Sequence, residues 1–195
     1  MDEEPSGGRT PVDPDEASAL IPTWVATQGA LNEAEAANIA VAVLWLENRA
    51  WEIEEVLAVD WLLQLHRRMF LDVWKWAGKT RQTGKNIGVP VGDIRPELTN
   101  LVADAKVWFL SDVTDPGRDL AAFHHRLVWI HAFPNGNGPH AREAANALAR
   151  SAGLETPQWG GHNLAEPGEP RAMYLAALRA ADRGDLKALI AFMHG

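Results

Sequence analysis

The sequence predicts an all-α protein with one short β-hairpin. Beyond residue 20 most of the chain is a succession of helix-forming runs whose apolar residues recur three and four apart. The one long stretch without that period, GKTRQTGKNIGVPVGD at 78–93, holds four glycines and a proline, the composition of a loop or hairpin. A chain of 195 residues, 47% apolar and 23% charged, suits a single core. No repeat at a period of 20–50 residues interrupts it.

Residues 1–20, MDEEPSGGRTPVDPDEASAL, carry six acids against Arg9 and too little apolar surface to offset ordering. They read as an acidic, partly loose segment ahead of one domain at 21–195. The first helix is expected at 31–47, with Asn32 as its cap and acids early, where they suit the helix dipole. A second is expected at 60–73, capped by Asp60, with Trp61, Leu62, Leu65, Met69, Phe70 and Val73 on one face and Gly78 beyond its end. A third covers 96–110, with Pro96 in its first turn and Leu98, Leu101, Val102, Ala105, Trp108 and Phe109 inward. A fourth covers about 118–131. A fifth opens at Pro139, whose fixed φ suits a first helical position, and closes at Gly153. Two more fit 169–182 and 185–194.

The net charge of −8 argues against broad affinity for nucleic acid or anionic membrane, which needs clustered cations. The absence of cysteine removes disulfides, thiolate metal sites and thiol nucleophiles, and is compatible with a reducing cytosol. The longest apolar run, IAVAVLWL, is far below the ~18 residues of a spanning helix. The expectation is therefore a cytoplasmic protein with no membrane contact.

The chemistry is concentrated in FHHRLVWIHAFPNGNGPHAR at 123–142. It ends one helix, makes a tight loop of Asn135, Gly136, Asn137 and Gly138, and begins another. Glycines admit close backbone approach, successive N–H groups form a concave nest, and a helix N-terminus adds partial positive charge, so the loop suits a phosphate. His131 can accept a proton near neutrality, and Arg142, one turn into the next helix, can meet phosphate oxygens with its planar fork. The alternative is an ordinary structural turn, which N-G-N-G also makes. His124 and His131 lie seven apart on one helical face, but packing or hydrogen bonding explains them better than a zinc site.

HAFPNGNGPHAR resembles the signature of the Fic family, HxFx(D/E)GNGRxxR, at His131, Phe133, Gly136, Asn137, Gly138 and Arg142. MFLDVWKWAGKTRQTGKNIGV at 69–89 resembles the region leading into the Fic flap, and YLAALRAADRGDLKALIAFM at 174–193 the closing helices. TPVDPDEASALIPTWVATQGALNEAEAANI resembles the Fic proteins called mobile mystery protein B. The resemblance implies a Fic-fold helical bundle that transfers AMP from ATP, its co-substrate, to a Ser, Thr or Tyr hydroxyl of a protein. In that reading His131 is the general base and Phe133 anchors the loop. Gly136, Asn137 and Gly138 hold phosphates, and Arg142 neutralises the departing pyrophosphate. Lys85, Asn86, Ile87, Gly88 and Val89 form a flap that docks a target segment by strand addition. The subgroup suggests a small helix-turn-helix partner. Lys79, Arg81 and Lys85 form a small basic cluster around the flap that reads as solvated charge, with ATP or target contact as the alternative.

Two positions depart from the signature. Asn135 stands where the family has an acid for Mg²⁺ and is a weaker ligand for a hard cation. Pro139 stands where the family has its first Arg, removing a cation and a backbone donor, with His140 beside it as a partial replacement for the charge. Two readings follow, a slow enzyme or a degenerate module that binds nucleotide or a protein partner without turnover. Many relatives are restrained by a Glu of an (S/T)xxxE(G/N) motif that pairs with the second signature Arg. Only its last two positions occur here, at Glu47 and Asn48, and Glu33 and Glu35 of the early helix are the other candidate partners for Arg142.

Overall fold

The computed structural model describes residues 18–111, 115–161, 164 and 168–195. The expectation of a loose segment at 1–20 falls, for residues 1–17, outside the described residues. Eight α-helices follow one another: α1 (Gln28–Glu47), α2 (Ile53–Val56), α3 (Val59–Phe70), α4 (Ile94–Leu110), α5 (Pro116–Ile130), α6 (Asn137–Ser151), α7 (Glu169–Ala181) and α8 (Lys187–His194). The all-helical class is as the periodicity implied, and seven of the eight were legible. The short α2 was not, because one turn is too brief to display a period.

The caps differ from expectation. α1 starts three residues early because the Thr27 hydroxyl, not Asn32, accepts the Ala30 N–H at 3.1 Å. Asn32 lies one turn inside, accepting the Gln28 side-chain amide. Asp60 is not a cap either; it lies within the first turn of α3, reaching Arg95 across the surface. α3 ends at Phe70, and residues 71–77 turn back along it.

α5 packs between α4 and α6, α1 lies against α3, and the α7/α8 pair closes the other side through α8 on α5. α6 is buried nearly all round, with Ala141, Ala144, Ala145, Ala147, Leu148 and Ala149 all inaccessible. Small side chains let its neighbours approach closely. The core continues through Phe70, Phe123, Phe133, Leu62 and Leu65. α1 is fastened by polar contacts instead: Asn38 exchanges two hydrogen bonds with Asp72, at 2.9 and 3.2 Å, and the Glu35 carboxylate accepts the Trp74 indole N–H at 2.8 Å.

The expected β-hairpin is not formed: among the described residues the only β pairing is an isolated antiparallel bridge between Leu20 and Trp74. The reason lies in where the backbone bonds of the flap go. The Arg81 N–H donates to Ala132 C=O and the Val89 N–H to Ile130 C=O, so the segment is laid on the end of α5 instead of being paired across itself.

Gly78 makes the turn that brings the chain from α3 toward the flap. Its φ is +77°, and a Cβ there would stand 2.6 Å from the Arg67 Cβ and 2.9 Å from the Leu63 carbonyl oxygen. Gly78→Ala should therefore destabilise the fold by about 2 kcal/mol, lowering Tm by about 4–8 °C, as read by thermal melting; a melt unchanged to within a degree would contradict that placement.

Candidate active site

The sequence HAFPNGNG reverses the chain between α5 and α6 with a left-handed residue at each side. His131 closes α5 at φ +52°, ψ 56°, and Gly136 opens α6 at φ +77°. A left-handed histidine costs on the order of 1–2 kcal/mol and persists only where its surroundings fix it. Gly136 is required twice over, since a Cβ would lie 2.4 Å from the Phe70 ring in addition to the unfavourable φ.

Asn137 ties the loop shut. Its side-chain oxygen accepts the Phe133 N–H at 2.9 Å and its amide donates to Phe133 C=O at 2.8 Å, so a side chain imitates a strand pairing. Asn137 is buried, and its amide therefore faces the loop; only its backbone N–H is directed to the N-terminal end of α6. Phe133 is fully buried, its ring stacked on His66 at 3.6 Å between centroids.

His66 was missed by the sequence reading, because a lone histidine on the apolar face of α3 carries no distinguishing pattern. The Gly78 N–H donates to its Nδ1 at 3.0 Å, so Nε2 carries the proton and donates to the Asn135 carbonyl at 3.1 Å. Burial, with His140 nearby adding, holds its pKa well below the ordinary value against the pull of that carbonyl. It is a neutral joint between α3, the Gly78 turn and the loop.

His131 stands at the α5 end of this loop, 8% exposed. Burial lowers its pKa to about 4, with the Arg81 guanidinium and the Lys85 ammonium adding to the effect and a hydrogen bond to Val128 C=O opposing it. The imidazole is neutral at pH 7 and able to accept a proton. Gly88 of the flap lies directly over it; a Cβ at Gly88 would stand 2.6 Å from the His131 Cβ. Lys85, Asn86, Ile87 and Gly88 remain along the rim, with Ile87 half exposed, while Val89 is buried with its N–H on Ile130 and its carbonyl receiving Arg81.

Across the loop, Gly136, Asn137 and Gly138 begin α6, whose first internal hydrogen bond is the His140 N–H to Gly136 C=O at 3.0 Å. Pro139 is thus the third helical residue, not the first, and its missing N–H costs the helix nothing; it removes one donor from the anion-facing end. A Cβ at Gly138 would meet no protein atom closer than Arg142 Nη1 at 3.7 Å, so the fold itself does not require glycine there. Arg142, half-buried, holds its guanidinium 5.8 Å from the centre of the Tyr174 ring. The Tyr174 hydroxyl in turn meets His124 Nε2 at 3.0 Å, a packing role for His124.

Three expectations change. His140 cannot stand in for the missing cation: it is 2% exposed, bonded to Leu62 C=O at 2.9 Å, and burial lowers its pKa to about 4. Arg142 makes no ion pair with a carboxylate of another element among the described residues; Glu47 is exposed and is felt by Glu143, whose pKa burial raises. Glu35 faces Asn135, accepting its side-chain amide at 3.3 Å. Arg81, which reads in sequence as part of a solvated basic cluster with Lys79 and Lys85, is 1% exposed.

Residues 56–149, from α2 through the loop to near the end of α6, match the Fic/DOC family. Residues 56–149 form a Fic/DOC domain. It is 30% identical over 142 residues to protein adenylyltransferase fic-1 of Caenorhabditis briggsae, an alignment covering 70% of this chain and 26% of that protein. The chain thus spans about a quarter of that relative's length. The structure of Fic-1 from Caenorhabditis elegans superposes with a TM-score of 0.66 at 25% identity, over 92% of this chain and 51% of the other. BepC of Bartonella tribocorum, solved with bound AMPPNP, shares the fold, with a TM-score of 0.65 at 20% identity over 87% of each chain. In this domain His131, Gly136, Asn137, Gly138 and Arg142 all lie on one helix–loop–helix unit, and the flap is brought to it by the Gly78 turn and by Arg81, 50 residues before His131.

The buried histidines make stability depend on pH. His66, His124, His131 and His140 all have folded pKa values below 6.5, about 3 for His124 and about 4 for His131 and His140. The unfolded chain takes up protons first as pH falls, so their contribution is full above pH 6.5 and is lost between there and pH 4. Each such histidine removes about 2 kcal/mol by pH 5. Tm should drop steeply between pH 6.5 and 5, checked by melts at intervals of half a unit; a flat profile would show the imidazoles to be accessible.

Proposed function

We propose that the chain transfers AMP from ATP to a hydroxyl side chain of a protein. The observation that carries this reading is a neutral, buried imidazole, His131, facing the N-terminal end of α6 across a loop closed by Asn137. His131 takes the proton of the hydroxyl, whose oxygen attacks the α-phosphorus as the bond to the β-phosphate oxygen breaks and pyrophosphate leaves. The free N–H groups of Gly136, Asn137 and Gly138 receive phosphate oxygens, and Arg142 balances the departing charge. The open space at Gly138 supports close approach by a ligand. The names of the adenylyltransferase relatives and the AMPPNP in BepC support ATP as co-substrate.

The target segment docks along 85–88, where the exposed backbone of the flap runs beside His131; Val89 is already engaged. Asn135 offers Mg²⁺ only a neutral side-chain oxygen, its amide nitrogen donating to Glu35 at 3.3 Å, so the loop fits the ion poorly. No step of this reading passes through a metal. The N-terminal run ending in ALNEAEAANI supports placement with mobile mystery protein B, and with it a small helix-turn-helix partner and action in the cytoplasm, where ATP is at hand. No helix of the described residues is long and apolar enough to cross a membrane.

Pro139 favours a second reading, a nucleotide-binding module without turnover, because it withholds both a cation and a donor from the leaving phosphates. Incubation with separately α- and γ-labelled ATP decides between them. The expected result is protein label from the α position only, abolished in His131→Ala and raised on the order of a hundredfold in Pro139→Arg. Label from the γ position would replace AMP transfer by a kinase reaction, and binding without label in both wild type and Pro139→Arg would leave the module.

A further inference from the structure

The end of α5 leaves carbonyl groups that the helix itself cannot pair. All three that follow its last turn are taken by the flap segment. Ile130 C=O accepts the Val89 N–H at 3.3 Å, Ala132 C=O accepts the Arg81 N–H at 2.9 Å, and His131 C=O accepts Arg81 Nε at 2.7 Å. The same guanidinium donates through Nη1 to Thr83 C=O at 3.0 Å and through Nη2 to Val89 C=O. Its three nitrogens therefore close both ends of the 83–89 segment and hold the carbonyl of the base-bearing residue. An ammonium could not do this, being a single point on a flexible stem. A cation at a helix C-terminus is also favoured by the helix dipole. Gly88 completes the contact, since any side chain there would strike His131 and Arg81 Nη2, 2.6 and 3.0 Å from the added Cβ.

We propose that Arg81 is a positioning residue, joining His131 and the target-docking flap into one rigid unit so that a hydroxyl bound along 85–88 lies at fixed reach of the imidazole. This rests on the AMP-transfer reading for its consequence in rate, but the coupling itself is independent of it. Displacement of a base from its reactive geometry by about 1 Å costs on the order of a hundredfold in rate. The charge of Arg81 has a separate effect: with Lys85 it is one of two cations facing His131, and both disfavour protonation of the ring.

The fork and the charge can be separated by two substitutions. Arg81→Lys keeps the cation and loses the fork; Arg81→Gln loses both. In both variants transfer of α-labelled AMP should fall about a hundredfold, with ATP affinity by equilibrium dialysis unchanged within about twofold. The acid limb of the rate should stay in place for Arg81→Lys and move to higher pH for Arg81→Gln, and the His131 ring resonances should titrate to match. In hydrogen exchange the Val89 amide should lose protection while those of α6 keep theirs. Gly88→Ala, which keeps the Arg81 charge but crowds the contact between the flap and His131, should give the same rate loss without moving the acid limb, and carries the test if an Arg81 variant fails to fold. Wild-type rate in Arg81→Lys, or an unchanged Val89 amide, would overturn the proposal. An inactive wild type whose variants still show the titration and exchange changes would overturn AMP transfer and leave the coupling standing.

Discussion

Burying two helix ends next to each other leaves backbone donors and acceptors that water cannot reach, and their pairing organises the rest of this molecule. The turn from α5 to α6 has no ladder of its own. Asn137 supplies one from a side chain, His66 reaches the Asn135 carbonyl from α3, and Arg81 and Val89 cover the carbonyls of Ile130, His131 and Ala132. Each of these partners comes from a different part of the sequence. The loop is consequently a meeting point of the fold, and the left-handed conformation at His131 is sustained by bonds on either side of it.

How much of this could be read from residues alone follows from the kind of interaction involved. α3 and α6 were legible because their apolar spacing is a local property, and the Gly136 turn because glycine at a left-handed position is a local demand. The flap was misread as a hairpin because its glycines and alternation signal a turn without saying what its amides will bond, and here they bond α5. Arg81 looked like solvated charge for the same reason: its acceptors are carbonyls, one of them 50 residues away, and carbonyls leave no trace in a sequence. His140 offered the opposite error. Its neighbour in sequence is the phosphate end of α6, yet the helical turn carries its ring inward to Leu62. Resemblance to a family singled out His131 and the glycines, whereas only the structure shows which side chains are already engaged by the fold.

The departures from the family signature acquire definite physical meaning in this setting. At Asn135 the exchange of acid for amide removes a charge but gains a partner, since an amide can donate to Glu35 where a carboxylate would repel it. That contact, with the Trp74 bond to the same Glu35, straps α1 across the loop between α5 and α6. At Pro139 the helix is not weakened, because the third residue of α6 has no acceptor to lose. Both changes leave the architecture intact while altering what the loop offers to an anion, the separation of fold from chemistry that site-level differences within one fold produce.

The arrangement around Tyr174 limits where the protein could label itself. It is the single tyrosine of the chain, 5% exposed, with its hydroxyl bonded to His124 and the Arg142 guanidinium over its ring. Burial raises its pKa, so the phenol is held in its least nucleophilic form as well as out of reach. Any adenylyl group found on this chain by mass spectrometry must therefore sit on an aliphatic alcohol, serine or threonine, and a tyrosine-type linkage in a reaction mixture can be assigned to a second protein without further separation.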